Sequence, residues 1–458
     1  MSRYLNTDLY EVTMALGYLR AGMAHREAHF ELFFRDLPRR RNFVVAAGVD
    51  RAVEFAQGFK LDGEDIDYLR AVPAFGSIAD ELWEQLEALP PPLRIYSVRE
   101  GEVVFPHEPV VRIEGPLATC QLLETAIISL VHYPSVVASK AARVRFACRG
   151  KTFLEFGMRR APMLEAALEA SRVAYMVGAD AVSNTECGRR FGIPVAGTMA
   201  HSWVMSFPTE REAFQSFIET FPELGILLID TWGVEHGLSS ALQVDGRLRA
   251  VRIDSGRLKE ETRWVRRMLD QAGKEKVRII LSGNLDEYII DELLREGVPV
   301  DSFGVGTEMV NSTDSPKISY IYKLVAVENG EGKLRPTIKI SPGKKTWPWG
   351  KQVLRRLEDG VMAGDLIIRH DEEGYPGEPL VRLRWSRKEG WREPPRQLEE
   401  NRHFCISRLN QLPPGLRDLY ETRPYPVEIS SRLERERRAL EMLELARVNL
   451  KGERAGRR

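Results

Sequence analysis

At 458 residues the chain exceeds what one compact core fills, so two or three domains are expected, one of them large enough for a barrel or a wide α/β sheet. Its 66 Lys and Arg balance 66 Asp and Glu at a formal charge of +0, which argues against a nucleic-acid-wrapping or membrane-surface protein, since either needs a sustained basic excess. An anionic ligand must then be met by charge gathered locally.

The opening stretch "MSRYLNTDLYEVTMALGYLRAGM" carries Asp8 and Glu11 where a signal peptide needs an unbroken apolar run, and no run of about eighteen apolar residues follows. A cytoplasmic, uncleaved chain with no membrane and no nucleic-acid partner is expected. An amphipathic helix is expected over 7–22, a strand in "EAHFELFFRDLP" (27–38), helices within 63–88, and strands with turns in "LRIYSVREGEVVFPHEPVVRIEGP" (93–116). This is α+β patterning.

From about 150 the pattern changes to apolar runs that each end in polar or glycine residues, separated by helical stretches. They are "KTFLEFGMRR", "ADAVSNTE", "IPVAGTMAHS", "LGILLIDTW", "LRAVRIDSG", "VRIILSGN" and "DSFGVGTEM". Such runs suit buried parallel strands whose C-terminal ends meet a ligand, and their spacing suits βα units. The fold class expected is α/β, an irregular parallel barrel that need not be complete.

After about 325, "YKLVAVENGEGKLRPTIKIS" and "PGEPLVRLRW" read as further strands. The domains expected are 140–334 for the barrel and 1–139 with 335–458 for a second α/β (α+β) domain built from both ends of the chain. The tail "SSRLERERRALEMLELARVNLKGERAGRR" reads as a salt-bridged helix. The four cysteines, Cys120, Cys148, Cys187 and Cys405, have neither disulfide-framework nor zinc spacing and read as buried thiols.

The run ends hold Glu155, Arg159, Arg160, Asp180, Asn184, Thr198, His201, Ser202, Asp230, Arg252, Asp254, Ser255, Asn284, Gly283, Gly304 and Gly306. "SGN" (282–284) and "FGVGTEMV" (303–310) put glycines after the last two strands, where barrels commonly bind phosphate through backbone N–H groups. "VRIDSG" places Arg252 and Asp254 on one side of a strand, with Ser255 and Gly256 turning the chain away. That pair suits ribose hydroxyls and an adjacent anion, or else forms a buried strand-end ion pair; Glu155 with Arg159 or Arg160 carries the same alternative. A lone histidine near an apolar run is more often a packed core group than a catalyst, yet His201 ends a run and Asp230 ends the next, within conceivable reach of the imidazole. No G-x-S-x-G motif exists to complete a hydrolytic triad.

Taken together, "TDLYEVTMALGYLRAGM", "FELFFRDLPRRRNFVVAAGV", "EFGMRRA", "GIPVAGTMAHSW", "RIDSG", "SGNLDE" and "FGVGTEMVNSTDSPKISYIYKLV" resemble the blocks of the nicotinate phosphoribosyltransferase family, in its order. The resemblance implies that nicotinate attacks phosphoribosyl pyrophosphate to give nicotinate mononucleotide and pyrophosphate in NAD salvage. It also implies ATP hydrolysis, in the manner of a ligase, through a phosphorylated histidine, with Mg²⁺. His201 would be that histidine and Asp230 its orienting partner. Tyr10 would stack on the pyridine ring from the second subunit of a homodimer with shared active sites. Arg252, Thr198 and Ser202 would hold nicotinate, with Arg159 and Asp180 flanking the base. Asp254, Ser255 and Gly256 would meet the ribose, and Gly283, Asn284, Gly304, Gly306 and Thr307 the phosphate.

Two departures from the family pattern stand out. Arg257 in "DSGRL" replaces a common acid, and "WPWG" (347–350) replaces a shorter turn. The alternatives are a nicotinamide or quinolinate phosphoribosyltransferase, or a non-catalytic nucleotide-binding regulator.

Overall fold

The strand Glu27–Phe34 is buried along nearly its whole length because strands cover both of its edges: Tyr320–Glu328 and Val111–Pro116, each antiparallel to it. In the computed structural model, which describes residues 3–341 and 344–455, it sits near the middle of a seven-stranded sheet. The order is Leu334–Pro336, Tyr320–Glu328, Glu27–Phe34, Val111–Pro116, Arg94–Ser97, Arg382–Ser386 and Gly390–Trp391. The sheet therefore draws on both ends of the chain, as expected. One boundary moves: Tyr320–Glu328 falls inside the span 140–334 assigned to the barrel, yet its apolar residues and its ladder serve the first sheet.

The barrel uses six of the seven expected runs. Its parallel strands are Thr152–Glu155, Ala181–Val182, Ile226–Leu228, Ala250–Ile253, Arg278–Leu281 and Ser302–Val305. The sixth pairs with the first, Ser302 opposite Thr152 and Val305 opposite Glu155, which closes the ring on that side. Between the second and third strands the ring is open. The run at 193–202 is not a strand there; it makes one bridge, Val182 to Val195, through Val182 N–H to the Pro194 carbonyl and Ala196 N–H to the Val182 carbonyl. Pro194 has no N–H to give a ladder and Gly197 has no side chain to pack, so pairing stops.

Helices cover the barrel by the usual amphipathic logic. Leu258–Gln271 turns Thr262, Val265 and Leu269 inward at helical spacing, and Glu287–Arg295 starts at Asp286, whose carboxylate accepts the N–H groups of Tyr288 and Ile289. The stretch Leu117–Ala147 is long and apolar enough to cross a membrane by length and composition, with mean hydropathy 1.3, but 61% of that window is buried inside the protein and it runs between the two cores.

Where this helix meets the barrel, a cluster of charges is shut away from water. Lys140 Nζ lies 2.5 Å from Glu287 and 2.9 Å from Asp314; Arg143 meets Glu287 at 2.9 Å and Arg41 meets Asp314 at 2.8 Å. All four cysteines are buried free thiols. The tail forms the helix Ser431–Ala455 with i, i+4 pairs such as Arg432 with Glu436 and Arg437 with Glu441; residues 456–458 of the expected helix lie outside the described residues.

Candidate active site

The polar ends of the barrel strands enclose a cleft of about 350 Å³, lined by Arg159, Arg160, Arg252, Asp254, Asn284 and Thr307, with glycines 197, 283, 304 and 306 around them. Its character follows from what its arginines do not do. Glu155 was the obvious partner for Arg159 or Arg160, but it is buried, bonded instead to the Ser171 hydroxyl at 2.7 Å and to the Gly157 N–H. Burial pushes its carboxyl above the usual glutamate range, against those two hydrogen bonds. Among the described residues, neither arginine of this pair, nor Arg252, has a carboxylate within ion-pair distance.

Arg252 is held by neutral groups. One guanidinium nitrogen donates to the Thr198 hydroxyl and the other to the Met199 carbonyl, each at 3.1 Å, while Nε is buried without a partner. Burial pulls its pKa down; Asp254 and Asp230 oppose that and Arg159 reinforces it. The expected alternative of a direct Arg252–Asp254 ion pair is therefore not what forms. Asp254 instead accepts the Ser282 hydroxyl, and its backbone N–H donates to Asp230 at 3.1 Å.

Glycine is required at two points of the wall. Gly283 sits at φ +87°, and a Cβ there would lie 1.7 Å from the Asp254 carbonyl oxygen; a Cβ on Gly304 would lie 2.5 Å from the Phe156 ring. Asn284 follows at φ +49°, so two consecutive residues adopt left-handed backbone and turn the chain sharply after the fifth strand.

Several expected residues fall elsewhere. His201 does not end a strand: it begins the short helix His201–Met205, and its Nδ1 lies 3.1 Å from the Thr231 hydroxyl. Asp230 does not reach the imidazole; one carboxylate oxygen takes Ser255 Oγ (2.6 Å) and Asp254 N–H, and the other is buried without a partner. Ser202 is exposed and lines no part of the cleft, while Gly256 stands at φ +88° in the turn after the fourth strand. Asp180 precedes its strand, where its carboxylate accepts Phe153 N–H at 2.8 Å, so it belongs to the opposite end of the barrel. The strand Ala181–Val182 is shorter than the run "ADAVSNTE", so the polar residues of that run fall on both sides of it.

Tyr10 is exposed on the helix Leu9–Arg20 of the other domain, where burial and the charges of Glu124 and Glu11 push its hydroxyl up to about 12. It does not line this chain's cleft. Conversely, Phe156, Ser183, Gly197 and Ser282 line the cleft and Thr231 holds His201 without having been singled out. Each stands next to a residue that was, because a strand end presents its neighbours together.

A group close enough to share a metal ion, Glu27, His29 and Glu114, lies in the antiparallel sheet. Arg94 bonds both of its glutamates at 2.6 Å and Arg112 meets Glu114 at 2.9 Å, so the acids are already neutralised.

Comparison with known proteins gives a consistent result. Residues 5–132 match the profile described as nicotinate phosphoribosyltransferase (NAPRTase) N-terminal domain, and residues 152–345 that of the nicotinate phosphoribosyltransferase (NAPRTase) family. The chain is 41% identical over 436 residues to the nicotinate phosphoribosyltransferase pncB2 of Mycobacterium tuberculosis, covering 94% of this chain and 92% of that one. The crystal structure of human nicotinic acid phosphoribosyltransferase superposes with a TM-score of 0.81 at 31% identity, over 95% of this chain and 99% of that one. A nicotinate-nucleotide pyrophosphorylase from Pyrococcus furiosus, at 24% identity and a TM-score of 0.72 over 90% of this chain and 99% of that one, shares the fold.

Proposed function

The chain belongs to the nicotinate phosphoribosyltransferase family, and we propose that it joins nicotinate to phosphoribosyl pyrophosphate in NAD salvage, in the cytoplasm. The pyridine nitrogen forms a bond to C1 of the ribose as the bond from C1 to the pyrophosphate oxygen breaks; nicotinate mononucleotide and pyrophosphate leave. The observation that carries the reading is the cleft with three guanidinium groups and, among the described residues, no acid paired to them, charge available to a ligand with a carboxylate and several phosphates.

In this reading Arg252, set by Thr198, answers the nicotinate carboxylate, and Arg159 and Arg160 favour the departing pyrophosphate. Asp254 takes the ribose hydroxyls. Backbone N–H groups near Gly283, Gly304, Gly306 and Thr307 take the 5′-phosphate, because the absent side chains let the ligand approach. Tyr10 meets the pyridine ring of a neighbouring subunit in a homodimer.

The Mg²⁺ that accompanies the pyrophosphate fits Asp230 and Asp254: an Asp230 oxygen is buried without a partner, and the two residues are joined through the Asp254 N–H. Bound there, the ion would neutralise leaving-group charge.

ATP enters through His201, in the manner of a ligase. With Nδ1 engaged by Thr231, Nε2 is the nitrogen that attacks the γ-phosphorus as its bond to the bridging oxygen breaks and ADP leaves. Hydrolysis of the phosphoimidazole after turnover returns phosphate.

The test is product formation from nicotinate, phosphoribosyl pyrophosphate and Mg²⁺, with and without ATP. Nicotinate mononucleotide is expected in both, faster with ATP; no product, or equal use of nicotinamide, overturns the reading. His201→Ala should abolish ATP hydrolysis and acid-labile labelling while ATP-independent product persists. Unchanged labelling refutes the histidine's role.

A further inference from the structure

In the proposed function phosphoribosyl pyrophosphate meets the cleft at two ends, its pyrophosphate at the turn that carries Arg159 and Arg160 and its 5′-phosphate near Gly304, Gly306 and Thr307. These ends follow neighbouring strands, Thr152–Glu155 and Ser302–Val305, which pair in register. The ladder continues one bond further, from Phe156 N–H to the Val305 carbonyl at 2.8 Å. From there the two segments part: one makes the single 3₁₀ turn Met158–Arg160, the other the short helix Thr307–Val310.

Met158, Arg159 and Arg160 are all exposed, so side-chain packing does not hold the turn in place. Its start is held by Glu155, whose carboxylate accepts the Gly157 N–H. Its end is held by Asn311, just past the short helix. The Asn311 side-chain nitrogen donates to the Arg160 carbonyl at 3.1 Å and to the Thr307 carbonyl at 3.0 Å. Both partners are acceptors, so the NH₂ end of the amide must face them, and both of its hydrogens are used. Among the described residues this is the one side-chain hydrogen bond between the turn and the helix, and Asn311 itself lines no part of the cleft.

We propose that Asn311 is a positioning residue that fixes the span between the pyrophosphate end and the 5′-phosphate end of the cleft. The proposal rests on the reading that phosphoribosyl pyrophosphate is the substrate. A ligand held at both ends outbinds its separate halves only where the two ends stand at the ligand's own length. Loosening the span therefore weakens the whole ligand and spares its pieces.

The test is calorimetric titration of the full-length protein, as parent, Asn311→Ala and Asn311→Leu, with phosphoribosyl pyrophosphate, pyrophosphate and ribose 5-phosphate in turn, each with Mg²⁺. Alanine leaves a gap and leucine fills it, and neither can donate. Both variants should bind phosphoribosyl pyrophosphate about tenfold more weakly, the order of one lost hydrogen bond, and each fragment within about twofold of the parent. In steady-state assays KM for phosphoribosyl pyrophosphate should rise by the same factor while KM for nicotinate is unchanged, a split that loss of folded protein, which lowers only kcat, does not produce. Unchanged binding of phosphoribosyl pyrophosphate, or an equal loss for either fragment, overturns the proposal. A parent that binds phosphoribosyl pyrophosphate but makes no nicotinate mononucleotide sinks the proposed function, and a selective loss in the variants still supports Asn311. A parent that does not bind it overturns both.

Discussion

Two regions of the molecule are rich in cations, and they have opposite accounts. At the junction of the long helix and the barrel, Lys140, Arg143 and Arg41 each face Glu287 or Asp314 at 2.5–2.9 Å. In the cleft, Arg252 is held by the Thr198 hydroxyl and the Met199 carbonyl, while Arg159 and Arg160 are exposed and form no ion pair among the described residues. Burial makes an unmatched charge costly, so the protein completes the first set internally; in the proposed function the second set is completed by a ligand. Spare charge, more than charge itself, separates a site from a scaffold.

The sharpest way to break this contrast is Glu287→Ala. It strands Lys140 and Arg143 without their acid and should lower unfolding free energy by about 3–5 kcal/mol, read as a fall in the urea midpoint. If stability holds, the junction cluster is not structural. Arg252→Gln should do the reverse: little change in midpoint, and a loss of about 100-fold in kcat/KM, roughly 2.7 kcal/mol at the transition state. A stability loss like that of Glu287→Ala, with activity per folded molecule kept, would erase the distinction.

The smallest effect is in pH, and there the two regions should slope in opposite directions. Burial raises Glu155 above the ordinary 4.5, so the native state holds that proton more tightly and stability falls as pH rises through the native value; Glu155→Gln should remove the fall. Burial alone would raise Asp314 too, but its hydrogen bond and charge interaction with Arg41, and the charge of Lys140, hold it well below 3.8. Its stabilisation is therefore present above that value and lost as pH drops toward the native one, and Asp314→Asn should flatten that loss. Urea midpoints measured across pH 3 to 7 check both; slopes of one sign would contradict the assignment.

Much of the site was legible because a buried parallel strand advertises its end. Arg159, Arg252, Asp254, Gly283, Asn284, Gly304, Gly306 and Thr307 all stand where the apolar runs stop, and all line one cleft. The failures have one origin. Run boundaries do not mark strand boundaries, so "IPVAGTMAHS" looked like a strand although Pro194 cannot sustain a ladder, and Asp180 was placed at a tip although it stands before its strand. Side-chain partnership was equally beyond reach: that Thr231, and not Asp230, meets His201 depends on one residue's turn at the end of the third strand. The sharing of the antiparallel sheet by both chain ends was legible in outline, but not that Tyr320–Glu328 would join it, since a buried strand reads the same in either sheet.

That sharing has a consequence for synthesis on the ribosome. The six barrel strands lie within 152–305, and their sheet can be completed as soon as Ser302–Val305 is delivered. Glu27–Phe34, made long before, must wait for Tyr320–Glu328 to cover one edge, and Arg94–Ser97 waits for Arg382–Ser386. At about 5–20 residues per second, the first-made half of the chain stays open-edged for on the order of ten seconds or more while the middle folds. The half that emerges first is thus the half that finishes last, and its apolar edges are where a nascent chain would need a chaperone.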